Sequence, residues 1–238
     1  MEITTAYITD KGAREINEDS VKVFSVGDVI IGIVSDGLGG HGSGDEASQL
    51  VVETIETCYQ LHPEFSEENI RNILNAANQN VLNLHNADKH CKATVVAAFV
   101  RKDKIIIAHA GDSRCYVFGN KKIRYETRDH SVSQMAVDMG EISKKDIRNS
   151  DDRNKVLHSI GKDGVKIDIE TIRSGLFPWR AILLCSDGFW QNVVEEEMIA
   201  TLQESKNVQE WLDKMIEILY KKKDLKQDNY SAVALWNK

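Results

Sequence analysis

Two apolar runs in this chain end in the same way. Val29 to Ser35 runs into Asp36-Gly37, and Ala181 to Ser186 runs into Asp187-Gly188. Three more aspartates stand at the edges of strand-like segments: Asp19 before 20–26, Asp112 between 104–110 and 113–118, and Asp228 before 229–236. Strand ends are where a rigid sheet holds side chains in fixed positions for chemistry. One Asp-Gly is an ordinary turn signal, but five aspartates so placed point further. Carboxylates that converge repel one another unless cations lie between them. A shell of carboxylate, carbonyl and water oxygens suits Mg2+ or Mn2+, and without a His/Cys ligand set zinc is disfavoured. Two such ions bridged by one carboxylate activate a water and stabilise a phosphoryl oxygen during in-line displacement. Phosphate-ester hydrolysis is the chemistry that fits.

Other motifs compete and fare worse. Gly37-Leu38-Gly39-Gly40-His41-Gly42 satisfies the dinucleotide pattern G-x-G-x-x-G after a strand. That fold needs a strand after the following helix, whereas a second helical pattern follows here, and Asp36 would face the pyrophosphate. His130, in Asp129-His130-Ser131, suggests a hydrolase triad, but no G-x-S-x-G exists; it reads as a packed histidine ordering a loop. His41 reads as loop structure, Arg114 as a carboxylate-orienting partner, and Cys185 as a small buried hydrophobe.

Hydrophobic spacing supplies the elements that would position these residues. Strands are expected at 2–9, 20–26 and 29–35, followed by helices near 44–60 and 66–87, with Ser66 as N-cap. Strands follow at 93–100, 104–110, 113–118 and 121–127, and their short connections predict antiparallel neighbours. A short helix is expected near 131–139, and the polar stretch 141–155 is expected outside the core. Strands at 165–173 and 180–186, helices near 194–205 and 207–222, and a last strand at 229–236 complete the chain. In the last helix, Val208, Trp211, Leu212, Met215, Ile216 and Leu219 form an apolar stripe that reads as core. Strand runs separated by helix pairs indicate an α+β fold.

The 238 residues contain two prolines and no linker-like stretch, so no domain boundary is expected. A net charge of −7 gives no electrostatic footprint for nucleic acid. No apolar run approaches the roughly 18 residues a spanning helix needs, and the N-terminus has no signal-peptide pattern. Four scattered cysteines read as reduced thiols. The expectation is a cytoplasmic, monomeric protein with neither membrane nor nucleic-acid partner.

The motifs together, in order, resemble the metal-dependent type-2C protein phosphatases (the PPM family) in their bacterial single-domain branch. They are Arg14-Glu15-Ile16-Asn17-Glu18-Asp19, Asp36 to His41 with Gly44 and Ala47-Ser48, Gly111-Asp112-Ser113-Arg114, Asp129-His130-Ser131, Ser186-Asp187-Gly188 and Asp228 to Ala232. The resemblance implies one catalytic domain over 1–238, a central antiparallel β-sandwich flanked by helix pairs, and a flap at about 138–160. It implies that Asp36 bridges two Mn2+ or Mg2+ ions, with Asp187 and Asp228 completing one site and Glu18 and the Gly37 carbonyl the other. Asp19 would hold a water of the metal shell, Asp112 with Asp187 would bind a third ion, and Arg14 would bind the substrate phosphate. Asp36, Asp187 and Arg14 are thus the expected catalytic residues. Substrates would be phosphoserine and phosphothreonine proteins, with an opposing Ser/Thr kinase among the partners. Arg14 and the flap's Lys144, Lys145 and Arg148 would steer an acidic phosphoprotein.

Two departures matter. Leu38 occupies the position of a histidine proposed as general acid in the eukaryotic branch, leaving the acid unassigned unless a metal-bound water serves. Lys92-Ala93-Thr94-Val95 stands where Gly-Thr-Thr is frequent. The rival readings are a phosphatase of sigma-factor partner-switching regulators and a catalytically silent, metal-binding interaction module of the same fold.

Overall fold

The structure, a computed structural model, describes residues 2–39, 43–85, 90–173, 178–222 and 227–237. The chain begins with β1 (Ile3–Asp10), β2 (Asp19–Val26) and β3 (Val29–Leu38), then α1 (Gly44–Leu61) and α2 (Glu67–Asn83). Next come β4 (Lys92–Ala93), β5 (Val95–Val100), β6 (Lys104–Ala110), β7 (Arg114–Phe118) and β8 (Ile123–Glu126). After α3 (Val132–Asp138) and a 3-10 helix (Lys144–Asn149) follow β9 (Asp168–Arg173), β10 (Ala181–Cys185), α4 (Asp187–Trp190), α5 (Glu195–Glu204), α6 (Val208–Lys222) and β11 (Tyr230–Asn237). One sheet has the order β1-β11-β10-β7-β8; the other has β2-β3-β5-β6-β9, with β4 paired to the end of β3. Every strand pairing between them is antiparallel.

The period-two geometry of strands explains the four layers. In β5, Val95, Ala97 and Phe99 pack with α1 and α2, while Val96, Ala98 and Val100 pack between the sheets. Both faces are therefore apolar, and the strand reads as an unbroken hydrophobic run. On the other side, Trp211, Leu212, Met215 and Leu219 of α6 lie against the outer face of the β1-β11-β10-β7-β8 sheet. The result is the α+β sandwich expected from the strand and helix runs. Ser66 accepts the Asn69 N–H at 3.2 Å, capping α2, and Ser131 caps α3 in the same manner. Residues 86–89, where the second expected helix would end, and His41 lie outside the described residues.

Two expectations are corrected. β6 and β7, though joined by only three residues, are not paired; the chain crosses there from one sheet to the other. Gly111 turns that corner at φ +114°, and a Cβ there would stand 2.6 Å from Thr94 Cβ, so glycine is needed both for conformation and for space. The polar stretch 141–155 is also not wholly outside the core. Ile147, on the 3-10 helix, is fully buried with Phe189 and Trp190 and pins this segment to the sandwich.

Candidate active site

The strands deliver the acidic residues to one end of the sandwich. Asp19, the first residue of β2, stands directly opposite Asp36 near the end of β3. Side chains so paired lie about 5 Å apart, and two like charges there are destabilising. Asp187 follows β10 and opens α4, Asp228 stands two residues before β11, and β10 pairs with β11. Asp112 sits on the crossing loop between β6 and β7. Arg14, Glu18, Asp36, Gly37, Asp112, Asp187 and Asp228 line one cavity of about 190 Å3. Asp19 lies behind its wall, where its Oδ2 accepts the Ser186 hydroxyl at 2.7 Å.

The supporting contacts come from loops and are not legible in any single motif. Asn229 Oδ1 accepts the Glu18 N–H at 2.9 Å, and its amide donates to the carbonyls of Lys11 and Ile16. One side chain thus ties the Glu18 segment to the Asp228 segment. Thr94 Oγ1 accepts the Asp36 N–H at 3.0 Å and contacts Ser113 Oγ at 2.7 Å, linking the β3 end to the Asp112 loop. The Gly37 backbone presses on Gly44 at the start of α1: a Cβ on Gly37 would fall 2.2 Å from the Gly44 carbonyl oxygen. The Glu18 carboxylate lies close against Gly44, where a Cβ would stand 2.7 Å from its Oε1. The sequence motifs contain Thr94 and Asn229 but assign them no role, and the flap residues Asn154 and Val156, which also line the cavity with Asn229, were not singled out. Leu38 lines it as well.

Electrostatically the cluster is unbalanced. Burial first, and the neighbouring carboxylates second, push Asp36 and Asp112 well above the ordinary carboxylate range. Burial likewise raises Asp19 to about 7 and Asp187 to about 6. Asp36 and Asp187 are close enough for each to perturb the other's carboxyl group. Asp19 Oδ1 and Asp112 Oδ1 are buried without any partner. Orphaned buried acceptors cost free energy, and here an all-oxygen donor set surrounds them. These residues fit hard divalent cations.

His109, His130 and Asp168 also bring three potential ligand atoms within 4.8 Å. Their polar atoms are largely engaged. His109 Nε2 meets the Arg128 carbonyl at 2.9 Å, and His130 Nε2 meets Asp168 Oδ2 at 3.0 Å. His130 Nδ1 lies 3.4 Å from the Gly111 N–H, so His130 steadies the crossing loop, in keeping with a packed, loop-ordering histidine. Arg114 orients a carboxylate, but that of Asp129, through two bonds of 2.8 Å. Cys185 is buried, and burial holds its thiol well above the ordinary range. The flap cations expected to steer substrate are instead engaged. Lys144 pairs with Glu126, Lys145 with Glu196, and Arg148 with Glu195 and the Trp190 carbonyl.

A family model described as protein phosphatase 2C matches residues 11–229. The chain belongs to the protein phosphatase 2C family. The serine/threonine phosphatase stp of Listeria welshimeri serovar 6b is 34% identical over 220 residues, covering 88% of this chain and 87% of that one. The protein phosphatase PhpP of Streptococcus pneumoniae serotype 2 is 27% identical over 215 residues, covering 83% and 82%. A crystal structure of a bacterial serine phosphatase superposes with TM-score 0.89 at 25% identity, over 100% of this chain and 98% of that one. The catalytic domain of PstP, a serine threonine protein phosphatase solved with two manganese ions, superposes with TM-score 0.82 at 23% identity, over 98% and 97%. The family fold is therefore present nearly end to end. No helix among the described residues is long and apolar enough to cross a membrane.

The raised carboxylates make a prediction about stability. A group whose folded pKa lies above its ordinary 3.8 contributes stability that is complete below about pH 4 and lost as pH rises through the folded value. For Asp19 and Asp187 that loss falls between about pH 4 and 7. The metal-free protein should thus lose stability over this window, and saturating Mn2+ should return it. At metal near a hundred times Kd the gain is about 2.7 kcal/mol, or about 5–10 °C in Tm. Thermal unfolding with EDTA and with Mn2+ should show this gain at pH 7.5 and little of it at pH 4.5. An equal gain at both would contradict the electrostatic account.

Proposed function

We propose that this chain hydrolyses phosphoserine and phosphothreonine in proteins, using Mn2+ or Mg2+ held by the acidic cavity. The observation that carries this is the convergence of seven separately read residues around one small cavity, beside two buried carboxylate oxygens with no partner. Asp36, Asp187 and Asp228, with Glu18 and the Gly37 carbonyl, would hold two ions; Asp112 with Asp187 would serve a third, and Asp19 would hold a water in their shell. Bound there, the metal would supply the Lewis acid and the activated water nucleophile. Support comes from the stp relative and from the manganese in the PstP neighbour.

The chain's own residues do the rest. Arg14 Nη2 donates to Asp228 Oδ2 at 2.7 Å, and its side chain is 59% exposed at the cavity rim. A substrate phosphate arriving there takes the same forked donors, which suits Arg14 to binding and orientation. Neither Leu38 nor Val156 can donate a proton, so these cavity walls offer no acid for the leaving group. We read residues 1–238 as one catalytic domain with a flap over about 138–160, a cytoplasmic monomer acting opposite a Ser/Thr kinase, without nucleic-acid or membrane partners.

The test is phosphate release from a phosphothreonine peptide after exhaustive chelation, with Mn2+ titrated back, beside Asp187→Ala. Release should vanish with EDTA, return with Mn2+, and be absent in the variant. Near-normal kcat in Asp187→Ala with excess metal would overturn the mechanism. Metal binding by calorimetry without turnover would favour the silent module, and preference for phosphorylated sigma-factor regulators would favour that branch.

A further inference from the structure

Lys144, Lys145 and Arg148 of the flap each have a carboxylate partner, whereas five cations without one gather at the opposite end of the sandwich. Lys121, Lys122, Arg124, Arg173 and Arg180 have no ion-pair partner among the described residues, although the chain carries a net −7. They gather around one residue. Three adjoining concavities, of about 500, 290 and 430 Å3, each include Trp179 in their walls. Lys121 lines two of them, as does Arg124, while Arg180 and Arg173 each line one. Among the described residues Glu170 is the one carboxylate in these walls.

Two features make this more than a scatter of solvated charges. Trp179 is 5% exposed, and its indole N–H is buried with no acceptor, an unmet donor of the kind a ligand oxygen satisfies. The cations are also partly held in place. Arg180 lies over the Trp236 ring at 4.7 Å and donates to the Ser205 carbonyl. Arg124 lies back over the β7–β8 turn, its Nε 2.7 Å from where a Cβ on Gly119 would stand. Between them the middle concavity has apolar walls from Val117, Tyr125 and Ile172.

We infer that this face is a docking site for an extended acidic segment of a partner protein, with an apolar side chain seated beside Trp179 and flanking carboxylates on Lys121, Arg124 and Arg173. The cations are spread over three concavities and do not converge on one point, which favours a chain carrying several carboxylates over a single small anion. Trp179 precedes β10, whose far end leads to Asp187, and β10 is five residues long. Docking here therefore leaves the acidic cavity open, about 17 Å away along the strand.

The experiment is fluorescence anisotropy with a fluorescein-labelled octapeptide, seven glutamates around one leucine, and the full chain in Mg2+ buffer. Binding should saturate, weaken with added salt, and change tryptophan emission in the parent but not in Trp179→Phe. The double variant Lys121→Glu/Arg124→Glu should bind at least about tenfold more weakly. The pair Lys162→Glu/Lys221→Glu, which changes net charge equally at exposed sites away from this face, should stay within about twofold. Equal loss in both pairs, no loss in the first, or an emission change retained in Trp179→Phe would overturn the site. Tighter binding of duplex DNA or of phosphatidylserine vesicles than of the peptide would overturn the choice of partner. Because the readout is binding, it stands apart from whether the chain turns over phosphate.

Discussion

Replacing Asp36 by asparagine should lower kcat/KM for a phosphothreonine peptide by at least about a thousandfold, about 4 kcal/mol, while making the metal-free protein harder to unfold. The two effects have one cause. Asp36 faces Asp19 across a β-ladder and is raised by burial and by Asp19, Asp187, Asp112 and Asp228. In a metal-free protein that carboxylate is a liability, because like charges directly opposite are unfavourable and burial penalises the ionised form. Asparagine keeps the volume and removes one ionisable group from the cluster. A gain of about 1–3 kcal/mol is expected, or about 3–10 °C in Tm at pH 7.5. Saturating metal should narrow the difference, since a neutral amide is a poorer ligand than a carboxylate. Parent-like turnover, or a lower metal-free Tm, would show that Asp36 is not the hub of the cluster.

That opposition between stability and function explains why the site was legible in sequence. An aspartate at the end of an otherwise apolar strand is locally inconsistent, and Asp36, Asp187 and Asp228 each break such a run. The elements were legible because β5, β6 and β10 are apolar on both faces, α2 and α6 carry regular stripes, and Ser66 and Ser131 cap their helices. What sequence hid depends on distant pairing. A three-residue link between β6 and β7 reads as a hairpin, and only packing against Thr94 turns it into a crossing between sheets. Ile147 is one of two isolated isoleucines in a charged stretch, too weak a signal for its burial. Arg148 and Lys144 look like free surface cations until Glu195 and Glu126, on other elements, come beside them. Asn229 and Thr94 act through hydrogen bonds to segments far away in sequence.

The same long-range logic makes Arg114 the residue whose loss should damage the fold most. Its side chain is 3% exposed, forks onto Asp129 with two bonds of 2.8 Å, meets Tyr116 Oη at 3.1 Å, and stacks 3.5 Å from the centre of the Trp190 ring. Glu126 and Glu195 each approach it at 3.6 Å. Arg114→Met keeps the length but leaves Asp129 buried without a counter-charge, a loss of about 3–5 kcal/mol, or about 6–20 °C in Tm. Adding Asp129→Leu should recover part of that, because an apolar pair carries no desolvated charge. The coupling measured in a double-mutant cycle should therefore be large. Function should suffer beyond stability. Trp190, held under the guanidinium, donates its indole N–H to the Asp112 carbonyl at 2.9 Å, so releasing it costs the crossing loop a strut. In conditions where Arg114→Met is fully folded, its half-saturating Mn2+ concentration should rise even as kcat at saturating metal holds. A change of less than about 1 kcal/mol in denaturant unfolding, with unaltered Mn2+ response, would mean the buried fork neither holds the fold nor braces the site.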